Sequence, residues 1–282
     1  MPGKPPVRRT AKKKASGPPE RKPKKTRSQY IKEKEFVLYG WNACKRAFEN
    51  RPQDILRMFF GKERSSQLGA EKKWCASHKL PYRQLDSGDL GKAAASSHHE
   101  GIVMVVRPVK PDSVHNLIRK PLPPKGVVVA LDRVSNTHNL GGIMRICSFF
   151  GVAGVVMGIE KDQAVVTPSA ARMAEGALED VPLYQSTDLP SALRDFRAGK
   201  VFVMGADPEA GRSLFETETS FPCVVVMGNE REGISERVKK RCDVLVRIPG
   251  SGRMQSLNVT VAAGAILSEL HRRRTTSEGD MA

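Results

Sequence analysis

Two short apolar runs near the end of the chain restrict the fold more than any other feature. Residues 224–227 are wholly apolar and residues 244–248 nearly so. Runs of this length are typical of strands that are covered on both faces, as in a parallel sheet. Glycine-rich segments follow them at Gly228 and Gly250, and ligands of open α/β sheets bind at such strand ends. The sequence therefore predicts a sheet edge folded tightly around a small ligand.

A strand–helix–strand pattern precedes these runs. Residues 127–131 and 152–157 are apolar, and residues 140–150 carry apolar side chains at helical spacing. Such a βαβ unit, completed within about 30 residues, requires parallel strands and predicts the α/β class. Asn139 is placed to cap this helix, and Arg145 is expected one turn into it, facing the carboxyl edge of the sheet. The pattern also predicts helices at 167–179, 189–198 and 257–273 and a strand at 201–204.

The chain divides into five segments by composition. Residues 1–34 hold 13 Lys or Arg and two Glu, a net charge of +11 out of +17, with too few apolar side chains to fold. A polyanion, with nucleic acid favoured, is the expected partner; a solubility tail is the alternative. A small α/β domain is predicted at 35–106, with strands at 55–60 and 102–106 and a helix at 68–78. A stiff linker with five prolines (107–125), a larger α/β domain (126–274) and a flexible polar tail (275–282) follow.

Several classes of function lack their sequence signals. No 18-residue apolar run or secretory signal is present, and the five cysteines form no C-x-x-C pair, so a cytoplasmic protein without a membrane span is expected. The adjacent His98 and His99 favour a turn or an RNA-facing loop over a metal site, and no metal is predicted. No dinucleotide fingerprint, Walker A loop, G-x-S-x-G or H-E-x-x-H motif occurs.

Three short motifs follow one another in the larger domain. They are Asn139-Leu140-Gly141-Gly142 with Arg145, Met227-Gly228-Asn229-Glu230 with Gly233, and Ile248-Pro249 with Ser256-Leu257-Asn258. In this order they resemble motifs 1 to 3 of the SpoU/TrmH group of SPOUT RNA methyltransferases, over residues 126–272. Residues 35–106 are similar to that family's substrate-binding domain, which itself resembles a ribosomal protein.

This resemblance implies a fold, a cofactor and partners. The family has a parallel-sheet SPOUT domain with a C-terminal trefoil knot, forms homodimers and binds S-adenosylmethionine among the knot loops. It transfers a methyl group to a ribose 2′-hydroxyl of tRNA or rRNA. The matching cofactor-binding residues are Met227, Gly228, Ile248, Ser256 and Leu257. The missing Cβ of Gly228 would let the backbone approach the cofactor, and Ile248 and Leu257 would flank its adenine, with core packing as the alternative.

The resemblance also implies a catalytic set, Arg145, Asn139, Glu230, Ser256 and Asn258. The family proposes the matching arginine as the activator of the hydroxyl. Because a guanidinium stays protonated, we favour a phosphate clamp that also stabilises the developing alkoxide. Asn139 would hold the loop, bind RNA or cap the helix, and Glu230 would orient Arg145 or bind backbone. Ser256 and Asn258 would contact ribose or phosphate, although both also suit a helix start.

Two other functions stay open at this stage. A non-catalytic RNA-binding or ribosome-assembly protein on the same scaffold would keep the basic tail and the ribosomal-protein-like domain. A SPOUT enzyme that methylates a base would need an Asp-based proton acceptor, and Arg145 argues against it. Departures from the family pattern at 137–138, 146–147 and 250–252 leave the subfamily and the target RNA open.

Overall fold

The computed structural model describes residue 3, residues 35–159 and residues 163–276. The predicted disorder of 1–34 therefore lies outside the described residues apart from residue 3, as does the tail prediction for 277–282. Thr275 and Thr276, predicted to belong to that flexible tail, lie instead in the last turn of the final helix.

The first domain is a four-stranded sheet with three helices. Its strands are β1 (Phe36–Tyr39), β2 (Ile55–Phe60), β3 (Tyr82–Gln84) and β4 (Ile102–Val106). Its helices are α1 (Trp41–Asn50), α2 (Gly69–Ser77) and α3 (Ser87–Ala94), with 3₁₀ turns at Pro52–Asp54 and Lys62–Gln67. The order is β1-β4-β2-β3, with β4 antiparallel to both neighbours. Every residue of β4 is buried, which explains its unbroken apolar sequence.

The second domain is built on an eight-stranded sheet in which every strand pair is parallel. Its strands are β5 (Asp112–Ser113), β6 (Val127–Asp132), β7 (Gly154–Gly158), β8 (Leu183–Ser186), β9 (Phe202–Ala206), β10 (Arg212–Ser213), β11 (Cys223–Gly228) and β12 (Val244–Arg247). The order is β10-β12-β9-β11-β6-β7-β8-β5. The predicted α/β fold with a parallel sheet is confirmed.

Helices cover both faces of this sheet. They are α4 (Val114–Ile118), α5 (Thr137–Phe149), α6 (Pro168–Met173), α7 (Ala177–Asp180), α8 (Leu189–Ala198), α9 (Glu236–Lys239) and α10 (Val259–Thr276). On β6, Val127, Val129 and Leu131 pack in the core formed with α5 and α10, whereas Val128 and Ala130 pack in the core formed with α4 and α8. Because both faces are buried, alternating polarity is absent from the central strands.

Two predicted segments differ from the structure. The stretch predicted as a linker contains β5, which joins the edge of the large sheet, and α4, whose Val114 and Leu117 are buried in the core formed with α8. The helix predicted over 167–179 is broken into α6 and α7, because Glu175 (φ +53°) and Gly176 (φ +95°) adopt left-handed backbone.

Two adjacent glycines let α5 approach its neighbours closely. A Cβ at Gly141 would lie 2.5 Å from the carbonyl oxygen of Ala170 in α6, and one at Gly142 would lie 2.7 Å from Cγ2 of Thr260 in α10. Thus the glycines of the first motif are needed for helix packing, and they bring the start of α10 next to α5.

Gly141→Ala is expected to lower the free energy of unfolding by about 1–3 kcal/mol, because the added methyl group meets a backbone carbonyl that cannot turn away. Gly264→Ala is the matched control in α10, where the nearest atom to the added Cβ is Ile146 Cδ1 at 3.6 Å. There alanine should be tolerated and its helix propensity should favour folding. Urea unfolding measures both, and equal stability of the two variants would contradict the packing argument.

Candidate active site

The second and third motifs open at one edge of the large sheet. Because the strands are parallel, the loops after β6, β11 and β12 all leave from their shared carboxyl edge. Gly228 ends β11 and Arg247 ends β12, with β9 between these two strands. Two strand spacings separate them, roughly 10 Å. The loops after β11 and β12 therefore leave the sheet on either side of β9.

Asn139 joins the three motifs through its side chain. Its Nδ2 donates to Glu230 Oε1 at 2.8 Å, and its Oδ1 accepts from Asn258 Nδ2 at 3.2 Å. Thr260 Oγ1 donates to the main-chain oxygen of Asn139 at 3.3 Å. Asn139 is buried within the first turn of α5, and the helix is capped instead by Asn136, whose Oδ1 accepts from the amide of His138. The side-chain amide of Asn139 therefore fixes the start of α5 against the loops that contain Glu230 and Asn258.

Glu230 holds the loop after β6 through a cluster of donors. Its carboxylate accepts from the amides of Ser135 and Asn136 and from Ser135 Oγ, each at 3.1 Å, in addition to Asn139. Burial opposes ionisation of this group, but the hydrogen bonds from Asn139 and from the two amides outweigh it and hold the pKa of Glu230 below its usual range. Glu230 thus binds backbone, which is one of the two roles expected for it.

Gly228 is required by the chain's own loop. A Cβ there would lie 2.2 Å from the carbonyl carbon of Gly233 and 2.3 Å from the nitrogen of Ile234. This loop folds back on itself, since Asn229 and Gly233 exchange two main-chain hydrogen bonds of 3.0 and 2.9 Å. The missing Cβ therefore makes room for residues 233–234, and its use in letting the backbone approach a cofactor stays a prediction.

The five predicted cofactor-binding residues fall into two groups. Met227 and Gly228 are buried at the end of β11, and Ile248 is partly buried directly after β12. Ser256 and Leu257 lie in the exposed segment 250–258, with Leu257 51% exposed. The first group lies at the carboxyl ends of β11 and β12 and the second in the segment after β12, and cofactor contact stays a prediction for all five.

Arg145 stands apart from the other predicted catalytic residues. It lies eight residues into α5, about 12 Å along the axis from the start of the helix, and its side chain is 63% exposed. Its Nη1 is 3.8 Å from Oε1 of Glu175. The expected pairing with Glu230 is not made, because α5 begins at Thr137 and carries Arg145 away from the carboxyl edge.

Sequence reasoning missed several residues that build the site. Ser135 and Asn136 donate the amides that bind Glu230, Thr260 contacts Asn139, and Asp132 Oδ2 accepts from the amide of Ser235 at 2.6 Å. Asp132 carried a usable signal, since it is a carboxylate at the end of an unbroken apolar run. The roles of the amides depend on loop geometry that residue types do not encode.

The paired histidines serve the turn before β4. His99 is buried and its Nδ1 accepts from the amide of Gly101 at 3.1 Å, whereas His98 is exposed. Across residues 35–159 and 163–276, no group of three or more His, Cys, Asp or Glu side chains is arranged to hold a metal ion. Over those same ranges, no helix combines the length and the apolar content that crossing a membrane requires.

Comparison with known proteins agrees with this architecture. Residues 126–268 match the model of the SpoU rRNA Methylase family, and residues 37–112 match that of the RNA 2'-O ribose methyltransferase substrate binding domain. The chain is 34% identical over 240 residues to the tRNA/rRNA methyltransferase YfiF of Escherichia coli O157:H7, covering 85% of this chain and 68% of that protein. It is 31% identical over 251 residues to the 23S rRNA (guanosine-2'-O-)-methyltransferase RlmB of Shewanella oneidensis, covering 86% of this chain and 98% of that protein.

A solved structure shares the fold across both domains. The SpoU methyltransferase AviRb of Streptomyces viridochromogenes, in complex with AdoMet, superposes with a TM-score of 0.72 at 23% identity, covering 89% of this chain and 95% of that one. The two-domain α/β architecture is therefore that of a SpoU methyltransferase. The chain belongs to the SpoU rRNA methylase family, and the resemblance carried by its three motifs is confirmed.

Proposed function

We propose that this protein transfers a methyl group from S-adenosylmethionine to a ribose 2′-hydroxyl of tRNA or rRNA. The observation that carries the proposal is the junction at Asn139, which ties the three motif loops together beside the carboxyl edge of a parallel sheet. The named activity of the relative RlmB, a guanosine-2'-O-methyltransferase, supports the ribose as the acceptor. Family membership supports methyl transfer to tRNA or rRNA in general.

The proposed cofactor site is the carboxyl edge of the sheet between the ends of β11 and β12, at Gly228 and Ile248. Apolar surface suited to an adenine is available from Ile248, which is partly buried, and from Leu257, which is half-exposed. Main-chain groups near Met227 and Gly228 at the strand end would hold the polar parts of the nucleoside. The bound cofactor supplies an electrophilic methyl group on a sulfonium, so the protein's task is to orient the acceptor hydroxyl.

Of the predicted residues Arg145, Ser256 and Asn258, we assign Arg145 and Ser256 to the RNA acceptor. The exposed guanidinium of Arg145 offers donors for the RNA phosphate and for the oxygen that becomes negative as its proton leaves. Asn258 uses Oδ1 to accept from the amide of Thr260 at 2.8 Å and Nδ2 to bind Asn139, so we assign it to loop positioning. Ser256, exposed two residues earlier, is the better candidate for a phosphate contact.

We further infer a homodimer, a trefoil knot and a cytoplasmic location. Exposed apolar side chains on neighbouring helices support self-association, since Phe149 of α5 is 81% exposed and Val261 of α10 is 55% exposed. The C-terminal helix α10 packs against α5, and the loop before it contacts Asn139 through Asn258. This packing supports threading of the C-terminal segment. Cysteines that are unpaired across the described part of the chain are consistent with a reducing compartment.

Val261→Glu is expected to weaken dimerisation at least about tenfold, because a carboxylate would have to be desolvated in an apolar interface. Tyr82→Glu is the control, since Tyr82 is an exposed aromatic side chain (39%) on β3 of the other domain. Sedimentation equilibrium measures both dissociation constants. Equal values for Val261→Glu and the unmodified protein would exclude this helix face from the interface.

Calorimetry with S-adenosylmethionine and with its demethylated product tests the proposed cofactor site. Both compounds are expected to give saturable binding heat. Asn139→Ala should lower the affinity for them, because the loops after β6, β11 and β12 lose their common contact. A protein that binds RNA but produces no heat with either compound would instead be an RNA-binding or ribosome-assembly factor on the same scaffold.

A further inference from the structure

Two Glu-Gly turns, one in each domain, share an unusual backbone. Glu100 (φ +54°) precedes Gly101 (φ +80°), and Glu175 (φ +53°) precedes Gly176 (φ +95°). A left-handed conformation is unfavourable for a residue with a Cβ, and glycine or asparagine adopts it more readily. Six non-glycine residues among those described have positive φ, so the conformation alone assigns no role to the two glutamates, and their roles follow from their contacts.

Each of these glutamates contacts the other domain. Glu100 accepts from Arg172 Nη2 of α6 at 2.7 Å, and Glu175 accepts from Asn42 Nδ2 of α1 at 2.6 Å. The approach is close, because a Cβ at Gly176 would lie 2.5 Å from Cγ of Arg46. The two turns therefore form a reciprocal contact between the substrate-binding domain and the α6–α7 segment.

The second carboxylate oxygen of Glu175 faces α5, the helix that carries Arg145. Glu175 Oε1 lies 3.8 Å from Arg145 Nη1, while its Oε2 is held by Asn42. Asp180 repeats the arrangement, since Oδ1 accepts from Arg46 of α1 at 2.6 Å and Oδ2 accepts from Ser148 of α5 at 3.1 Å. Two carboxylates thus each hold one donor from α1 and one donor from α5.

We propose that Glu175 is a positioning residue for Arg145, and that Asn42 of the substrate-binding domain holds Glu175 in place. This inference rests on the proposed methyl transfer and on the role of Arg145 in it. The ion pair limits where the exposed guanidinium lies, and its length of 3.8 Å leaves other donors of Arg145 for an RNA phosphate. Because Asn42 belongs to α1, the position of the guanidinium in the second domain depends on a residue of the first.

Glu175→Gln tests the proposal with a neighbouring control. The glutamine keeps an acceptor for Asn42 but loses the charge that attracts Arg145, and kcat should fall roughly tenfold while the KM for S-adenosylmethionine stays unchanged. Glu179→Gln is the control, because Glu179 binds Arg51 across the same domain boundary with oxygens 2.6 and 2.8 Å from the guanidinium. Its contact is with the first domain alone among the described residues, so kcat should hardly change.

A double-mutant cycle separates positioning from a general structural role. Combined with Arg145→Gln, which removes the charge that Glu175 attracts, Glu175→Gln should cause no further loss of the residual activity, because the two residues act through one contact. Glu175→Gly should show the same fall in kcat, yet unfold at the same temperature or slightly higher, since glycine relieves the positive φ.

The inference and the proposed function fail in different ways. If the unmodified protein transfers methyl groups but Glu175→Gln matches it, or if the losses from Glu175→Gln and Arg145→Gln simply multiply, Glu175 does not act through Arg145 and the inference is overturned. If the unmodified protein transfers no methyl group to any tRNA or rRNA, the proposed function itself is wrong, and the role assigned to Glu175 falls with it.

Discussion

Arg145→Ala should lower kcat by about 10²- to 10³-fold, the usual effect of removing one donor from a developing oxyanion. Folding should be unaffected, because the side chain is 63% exposed and its ion pair with Glu175 is long, at 3.8 Å. Affinity for S-adenosylmethionine should also persist, since Arg145 is assigned to the RNA and is not among the residues proposed to bind the cofactor.

Initial rates with labelled cofactor and bulk RNA measure this effect, and thermal unfolding shows whether the variant is folded. Arg194→Ala is a suitable control, because Arg194 is another exposed arginine paired with a single carboxylate, Asp195, at 3.0 Å. If both variants lose the same small fraction of activity, Arg145 contributes only general positive charge.

Asn139→Asp should be the most disruptive conservative change in the protein. The substitution replaces the amide that donates to Glu230 at 2.8 Å by a second carboxylate in a largely buried position. Loss of a hydrogen bond to a charged group and the new repulsion should lower the free energy of unfolding by about 2–3 kcal/mol at pH 7. Cofactor binding should fall with it, because the contact between the three loops is lost.

This variant should also reverse the way in which the site's contribution to stability depends on pH. In the unmodified protein the pKa of Glu230 is depressed, so its stabilising contribution is present above the unfolded value of about 4.3 and is lost as pH falls through the folded pKa. In Asn139→Asp one carboxyl of the pair has a raised pKa, so the variant gains stability relative to the unmodified protein as acidification protonates it.

Urea unfolding between pH 4 and pH 8 compares the two proteins. Asn136→Asp adds the same charge in the same loop and is the control, because aspartate caps a helix as well as asparagine does and its charge suits the start of α5. If Asn139→Asp were as stable as Asn136→Asp at neutral pH, the junction at Asn139 would not hold the loops together.

Apolar patterning predicted those elements that are buried on both faces or carry one clean apolar stripe. The strands over 55–60 and 102–106 and the helix over 189–198 have the predicted bounds, because burial alone determines them. The break between α6 and α7 was missed because the predicted helix includes Gly176, which favours positive φ, and because Glu175 gives no local signal for positive φ. Likewise, β5 and α4 are formed through contacts with distant strands and helices, and a proline-rich sequence gives little sign of them.

The motifs predicted which residues lie together more reliably than what each of those residues contacts. Asn139, Glu230 and Asn258 come together as their membership of three motifs suggests. The helix cap at Asn136 and the loop packing against Gly228 depend on where α5 begins and how residues 229–235 fold back, which are tertiary properties. For the same reason, the distance between Arg145 and Glu230 could not be inferred from their spacing in the sequence.

The most direct test of the central claim is to find the atom that receives the methyl group. Bulk tRNA and rRNA would be incubated with the protein and S-adenosylmethionine bearing a labelled methyl group, then digested to nucleosides and analysed by mass spectrometry. The account predicts label on a 2′-O-methylated ribose, and its loss with Arg145→Ala. Label on a base would contradict the assigned acceptor, and no label in any RNA that the protein binds would contradict the enzyme.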